Sequence, residues 1–239
     1  MNMLSFVMKY DTKEFAKFID HTVIKPDTDI DTIVKNLDKW LSMNFATIAL
    51  SPYHAERVLR MRRDIPICVV IGFPMGYEPT DIKVSLAKKM LELGAREIDM
   101  VMNIQAFKER NYRYVVNDIA SVAEVVRSYG AVLKVIIETG LLSDEEKIIA
   151  TQLVAKGKAQ FVKTCTGFLG GRATVHDVRL LKSVAENLGI KVKASGGIRH
   201  AEDAITMIEA GADRIGTSTG DKIVEEYKAL RNSVVGRQT

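Results

Sequence analysis

Two lysines stand at the ends of two short apolar runs, each followed by small hydroxyl residues and glycine. The first lies in Phe161-Val162-Lys163-Thr164-Cys165-Thr166-Gly167, the second in Val192-Lys193-Ala194-Ser195-Gly196-Gly197-Ile198-Arg199. An ammonium at the inner end of a buried strand loses its water, which is costly. Lysine is rarely buried without a partner. Burial and a neighbouring cation both lower a lysine's proton affinity. An amine that is partly neutral near neutral pH attacks carbonyl carbon. The pair therefore points to Schiff-base chemistry. One strand-terminal lysine alone reads more readily as a surface residue whose head reaches water. Two at matching positions, with a carboxylate nearby, favour chemistry. That carboxylate is Asp99, in Glu97-Ile98-Asp99-Met100-Val101-Met102. If buried it needs a cationic partner, and Lys163 or Lys193 supplies one. The residue types alone leave a proton relay and a structural ion pair equally open.

The elements that must hold these groups alternate along the whole chain. Strands are expected at Phe18 to Thr22, Thr47 to Leu50, Ile67 to Ile71, Glu97 to Met102, Leu133 to Ile137, Gln160 to Lys163, Lys191 to Ala194 and Arg214 to Gly216. Apolar residues at helical spacing mark Asp29 to Leu41, Thr80 to Leu93, Tyr112 to Ser128, Ser143 to Ala155, Thr174 to Leu188 and Ala201 to Ala210. Ser143-Asp144-Glu145-Glu146 is a capping box, and Thr80 and Thr174 suit the same N-cap role. Gly94, Gly189 and Gly211 fall just past helix ends, where a left-handed residue is wanted. Eight strand–helix units, with no low-complexity linker, predict one domain over residues 1–239, a single (β/α)8 TIM barrel with a short N-terminal helical extension. A doubly wound open sheet would carry a Gly-rich first turn. The first turn here, Asp20-His21-Thr22-Val23-Ile24-Lys25-Pro26, has no glycine.

In a barrel the site gathers at the carboxyl ends of the strands. That rule selects Asp20, Thr22, Asp99, Asn103, Glu138, Lys163, Thr166, Lys193 and the glycines after the last two strands. Gly196-Gly197 and Gly216-Thr217-Ser218-Thr219-Gly220 open turns ahead of helices. Backbone N–H groups there can cradle a phosphate, with Ser218 and Thr219 as further donors. The same glycines also serve as plain tight turns.

Bulk properties narrow the partners. The 239 residues are 47% hydrophobic and 27% charged, with a net charge of +4 spread along the chain. No basic block with interleaved aromatics points to nucleic acid, and no apolar run is long enough for a membrane span. Met1 to Asp11 lacks the apolar core of a signal peptide, so a cytoplasmic protein is expected. Cys68 and Cys165 form no CxxC or Cys/His set and are expected to be free thiols. His21, His54, His176 and His200 are dispersed, and no metal or cofactor is expected.

Taken together, the chain resembles the deoxyribose-phosphate aldolases, which are class I, Schiff-base-forming enzymes, from about Ile19 to Gly220. The resemblance is carried by Ile19-Asp20-His21-Thr22, Val70-Ile71-Gly72-Phe73-Pro74, Glu97-Ile98-Asp99-Met100-Val101, Lys134-Val135-Ile136-Ile137-Glu138-Thr139, Val162 to Phe168, Lys193 to Arg199 and Arg214-Ile215-Gly216-Thr217-Ser218. It implies that Lys163 forms the Schiff base. It implies that Lys193 perturbs Lys163 and joins Asp99 and a bound water in proton transfer. Asp20 and Thr22 would line the pocket, Thr166 and Gly167 would help hold substrate, and Gly196, Gly197, Gly216 and Ser218 would bind phosphate. The implied reaction cleaves 2-deoxy-D-ribose 5-phosphate to glyceraldehyde 3-phosphate and acetaldehyde, with no metal or cofactor. Three departures stand out. Ala49 replaces a cysteine that many relatives carry. Phe168 replaces a phosphate-binding lysine of some relatives, leaving backbone amides with Arg172 or Arg199. The end Gly236-Arg237-Gln238-Thr239 lacks the tail tyrosine of some relatives. Self-association into a dimer or tetramer is expected, with the segment around Phe6 and Phe15 either capping the barrel base or joining a dimer. The rival readings are a Schiff-base aldolase for another phosphorylated sugar and a barrel that binds sugar phosphate without turning it over.

Overall fold

Short strands rich in Val, Ile and Leu, buried on both faces, form parallel sheets whose outer face must be covered by helices. The computed structural model closes eight of them in the order β1-β2-β3-β4-β5-β6-β7-β8, each parallel to the next. They are β1 Ile19–Val23, β2 Thr47–Leu50, β3 Ile67–Ile71, β4 Glu97–Val101, β5 Val132–Ile136, β6 Phe161–Lys163, β7 Lys191–Ser195 and β8 Arg214–Thr217. The architecture is the expected (β/α)8 barrel. The structure describes residues 3–236. The expectation about the chain end rests on Arg237 to Thr239, which lie outside them.

Successive strand residues face opposite sides of a sheet. The outward set, such as Ile98, Met100, Leu133, Val135, Val162 and Val192, is wholly buried under the helices. The inward set is polar in one sector. Asp99 pairs in register with Lys134, Lys163 with Lys193, and Lys193 with Arg214. The ordinary branched-aliphatic filling of a barrel interior is replaced there by charge.

The helices are α1 Met3–Lys9, α2 Thr12–Ala16, α3 Ile30–Ser42, α4 Pro52–Met61, α5 Thr80–Leu93, α6 Ile104–Lys108, α7 Tyr112–Ser128, α8 Asp144–Lys156, α9 Val175–Ala185, α10 Ala201–Glu209 and α11 Gly220–Val235. Ser143 forms the expected capping box with Glu146, Thr174 caps α9, and Gly94 ends α5 in the left-handed region at φ 113°. Thr80 does not cap α5. Pro79 holds that position, and the Thr80 hydroxyl donates instead to Asp118 Oδ1 at 2.8 Å. Three helices were not legible in the spacing. α4 starts on Ser51-Pro52 and buries a histidine on its inner face. α6 is a short turn capped by Asn103. α11 starts on a glycine, because a Cβ at Gly220 would lie 2.9 Å from His21 Nδ1.

The N-terminal extension packs within the chain. Phe15 stacks on Tyr227 of α11 with centroids 3.8 Å apart, and Phe6 meets both rings edge-on. Phe6 and Phe15 are both fully buried, so neither ring is free to join a partner.

One buried ion pair fixes the loop between β3 and α5. Lys83 donates to the Gly76 carbonyl at 2.7 Å and to Asp118 Oδ2 at 2.8 Å, and both side chains are 1% exposed. Gly76 has φ 77°, and any Cβ there would collide with the Met102 carbonyl. Lys83→Met leaves Asp118 charged and unpaired, and breaking such a pair typically costs ~3–5 kcal/mol. Urea denaturation of Lys83→Met should show that loss. Recovery of most of it in Lys83→Met/Asp118→Leu is the expected companion result, and full stability in the single variant contradicts the account.

Candidate active site

Lys163, Lys193 and Asp99 sit in one buried cluster inside the barrel. Asp99 Oδ2 accepts from Lys163 Nζ at 2.8 Å and from Lys193 Nζ at 2.7 Å. Its other oxygen accepts from Lys134 Nζ at 2.8 Å and from the Cys68 thiol at 3.2 Å. Lys134 also pairs closely with Glu97 and lies 3.6 Å from Asp20. Asp20 pairs with Lys193 at 2.5 Å and with Arg214 at 2.7 Å, and accepts from the Thr47 hydroxyl at 2.7 Å. Four cationic groups (Lys134, Lys163, Lys193, Arg214) thus face three carboxylates (Asp20, Glu97, Asp99), leaving one positive charge in excess.

That excess falls on Lys163. Burial is the main force lowering its pKa, and the nearby Lys193 ammonium adds to it. Asp99 opposes them and does not win, so Lys163 lies below the ordinary lysine value of 10.5. Lys193 behaves differently from the mutual lowering that the sequence predicts. Burial again works to lower it, but Asp20 and Asp99 outweigh burial and Lys193 lies above 10.5. Lys134 is likewise held well above it, against burial, mainly by Asp99. Burial also works against an ionised Asp99, yet the three lysines hold its carboxyl well below the usual range. Lys163 is therefore the amine of the cluster that most readily gives up its proton.

Access makes the same distinction. A cavity of about 360 Å³ opens at the carboxyl ends of the strands, and of the cluster's three lysines only Lys163 lines it. Lys134 and Lys193 are wholly enclosed. Lys193 reaches Asp99 through space that Gly216 leaves, since a Cβ there would sit 3.0 Å from Lys193 Cε. Thr22, Thr166, Gly167, Gly196, Gly197, Gly216 and Ser218 all line the cavity, as do Lys25 and Arg199. Gly196 and Gly197 have φ of 103° and 78°, backbone that glycine adopts without strain.

Four of the candidate residues lie off the cavity wall. Asp20 does not line the cavity; it is buried beneath it, within the ion cluster. Thr219 does not line it either, and its hydroxyl donates to the Arg199 carbonyl at 3.2 Å. Asn103 caps α6 and holds the Ala106 N–H at 3.0 Å. Arg172 packs along Gly197, and Arg199 is the arginine that reaches the cavity. Glu138 is a support. Buried at a strained φ of 55°, it accepts the Thr166 N–H at 2.8 Å and so sets the start of the loop after Lys163. Ala49 is buried and pairs in register with Thr22. His21 stacks on Phe45 at 5.1 Å, and burial lowers its pKa to about 4.

Lys134, Arg214 and Cys68 join the cluster and Lys25 the cavity, none of them among the expected site residues. Lys134 carried a usable signal: it is a charge between Leu133 and Val135, the same anomaly that marks Asp99. The fold also brings His176 beside Asp144 and Asp177, with ligand atoms within 4.8 Å of one another. Lys147 already sits between the two carboxylates, at 3.0 and 2.7 Å, so an ammonium fills the place a metal would take. Among the described residues no helix is long and apolar enough to cross a membrane.

Comparison with known proteins agrees with this geometry. Residues 15–226 match the model of the DeoC/LacD family aldolases. A deoxyribose-phosphate aldolase of Thermococcus kodakarensis is 50% identical over 218 residues, covering 89% of this chain and 96% of that protein. One from a Thermoanaerobacter species is 47% identical over 222 residues, covering 91% and 99%. The solved structure of an aldolase called QR15 superposes with a TM-score of 0.86 at 40% identity, covering 93% of this chain and 98% of that one. A tetrameric deoxyribose phosphate aldolase from Aeropyrum pernix gives 0.87 at 31% identity, covering 95% and 97%. The chain belongs to the DeoC/LacD aldolase family.

Proposed function

We propose that the protein is a class I aldolase that reversibly cleaves 2-deoxy-D-ribose 5-phosphate to D-glyceraldehyde 3-phosphate and acetaldehyde. The observation that carries this reading is Lys163, the one lysine of an over-charged buried cluster that meets the cavity. Pure binding of a sugar phosphate has no use for such an amine. The identity of the sugar rests on the relatives, several of which are named deoxyribose-phosphate aldolase at close to half identity.

In the proposed sequence, neutral Lys163 adds to the C1 aldehyde of the open-chain sugar. Loss of water gives an iminium, which draws the electrons of the C2–C3 bond as it breaks. The C3 hydroxyl passes its proton toward Asp99 and Lys193 through a water in the cavity. Glyceraldehyde 3-phosphate leaves, the enamine is protonated at carbon, and hydrolysis frees acetaldehyde. Covalent catalysis splits one hard step into easier ones. The proton relay contributes typically ~10²–10⁴-fold in such sites. Because the iminium is the electron sink, no metal is needed, and EDTA should leave the rate unchanged. Gly196, Gly197, Gly216 and Ser218 hold the phosphate with backbone amides and a hydroxyl, while Lys25 and Arg199 add charge. Self-association is part of the proposal, supported by the tetrameric relative; a monomer in light scattering would count against it.

Three measurements test this reading. A coupled assay should register glyceraldehyde 3-phosphate from deoxyribose 5-phosphate, and no release in the presence of active coupling enzymes refutes the substrate. Borohydride added during turnover should fix an adduct on Lys163, with mass spectrometry as the readout; an unmodified Lys163 excludes the covalent route. The pH profile follows from the lowered pKa of Lys163. A depressed pKa means more free amine at a given pH, so kcat/KM should rise with pH and level off below 10.5. Lys193→Leu removes one cation that pushes Lys163 down, so the inflection should move to higher pH while turnover falls by orders of magnitude. An unmoved inflection with near-normal turnover refutes the role of Lys193.

A further inference from the structure

The barrel mouth holds a second cavity, of about 620 Å³, that the chemistry above does not use. It lies over the ends of β1, β2 and β3 and the first turn of α4, and shares Ile24, Lys25 and Phe168 with the catalytic cavity. Phe168 reaches across the mouth from the loop after β6 and meets Phe73 edge-on, with centroids 5.1 Å apart at 82°. The two cavities therefore adjoin at one aromatic pair. The volume is that of an ordinary organic-ligand site. Tyr53, Phe73 and Leu86 give it apolar walls.

Two buried polar atoms in this wall have no hydrogen-bond partner, His54 Nδ1 and Glu78 Oε2. His54 is only 8% exposed. A buried polar group left unpaired carries a desolvation penalty that a ligand group can relieve. Glu78 sets a carboxylate against Lys25 in this lining, and the glycine amides and Ser218 that suit a phosphate lie in the other cavity, so the phosphorylated end of a sugar does not belong here. An uncharged organic group with a hydroxyl to donate does.

We propose that this cavity is the subsite for the tail of an uncharged, non-phosphorylated acceptor aldehyde in the bond-forming direction. It takes an aryl-sized apolar group, favoured further when that group bears one hydroxyl for Glu78 or His54. The inference rests on the aldolase reading of Lys163. In the reaction, acetaldehyde condenses with the Lys163 amine and loses water, and a C2 proton leaves to give the enamine. The enamine carbon attacks the acceptor carbonyl carbon, whose oxygen takes a proton and becomes the hydroxyl. Water then hydrolyses the iminium, returning the free amine and releasing a 3-hydroxyaldehyde. Phosphorylated acceptors extend toward Gly196 and Ser218, and uncharged ones turn past Phe168 toward Tyr53 and Leu86.

The test compares propanal, 3-phenylpropanal and 3-(4-hydroxyphenyl)propanal as acceptors with acetaldehyde as donor. The expected result is a kcat/KM at least tenfold higher for 3-phenylpropanal than for propanal, and higher again for the hydroxylated ring. Leu86→Trp fills the cavity from α5. It should erase the tenfold advantage while leaving propanal addition and cleavage of deoxyribose 5-phosphate unchanged. Tyr53→Ala removes an exposed wall, which no core packing depends on, and should weaken the same preference; it decides alone if Leu86→Trp also loses propanal addition. Equal kcat/KM for propanal and 3-phenylpropanal in the parent protein overturns the proposal. So does a preference that survives both variants. A protein that adds aldehydes but does not cleave deoxyribose 5-phosphate refutes the sugar assignment and leaves the subsite standing.

Discussion

The ion cluster inside this barrel brings four basic side chains against three carboxylates. Everything at the site follows from that imbalance. Buried charges persist only when paired, because taking an ion out of water costs several kcal/mol even after relaxation. Asp99 alone neutralises contacts from three lysines, and Asp20 is shared between Lys193 and Arg214. One ammonium must be the least well compensated. It is Lys163, the one at the cavity, whose pKa burial and Lys193 lower despite Asp99. Lys134, Lys193 and Arg214 remain charged so that Lys163 need not.

The scaffold bears that arrangement by removing side chains where the charges need room and by fixing the loops that frame it. Gly216 leaves a path for Lys193, and the inward positions Thr47, Ala49 and Cys68 on β2 and β3 stay small. Glu138 holds the start of the loop after Lys163 through the Thr166 N–H. Lys83 and Asp118 do the equivalent for the loop after β3, which carries Phe73. In both cases a buried charged side chain, in place of a run of regular hydrogen bonds, holds an irregular segment of backbone. Each is a feature that a packed apolar core cannot supply.

Much of this was legible in the residues. All eight strands fall within one residue of the spans that alternation and apolar runs indicate. The same two-residue alternation explains why Lys163, Lys193 and Asp99 converge. What stayed hidden depends on register across strands. Lys134 faces Asp99 only because β5 pairs with β4 in one specific alignment, and Arg214 sits opposite Lys193 for the same reason. Periodicity within a strand says which face a residue takes, not which neighbour it meets. The strand-end rule and the resemblance place Asp20 at the pocket; the structure has it fully buried within β1, level with Thr47 and Gly216. α11 has no start signal in the residues, because it opens on a glycine that clearance from His21 requires and helix propensity disfavours.

The cluster and the cavity rim differ in their exposure to dissolved ions. Debye screening weakens interactions between charges in contact with solvent and scarcely touches those enclosed in protein. Asp99, Lys134 and Lys193 are fully enclosed, whereas Arg199 at the rim is open to solvent. Raising ionic strength therefore weakens the field of the rim while the charge balance of the enclosed cluster holds steady. Rim and cluster, set a few residues apart, answer to different properties of the surrounding solution.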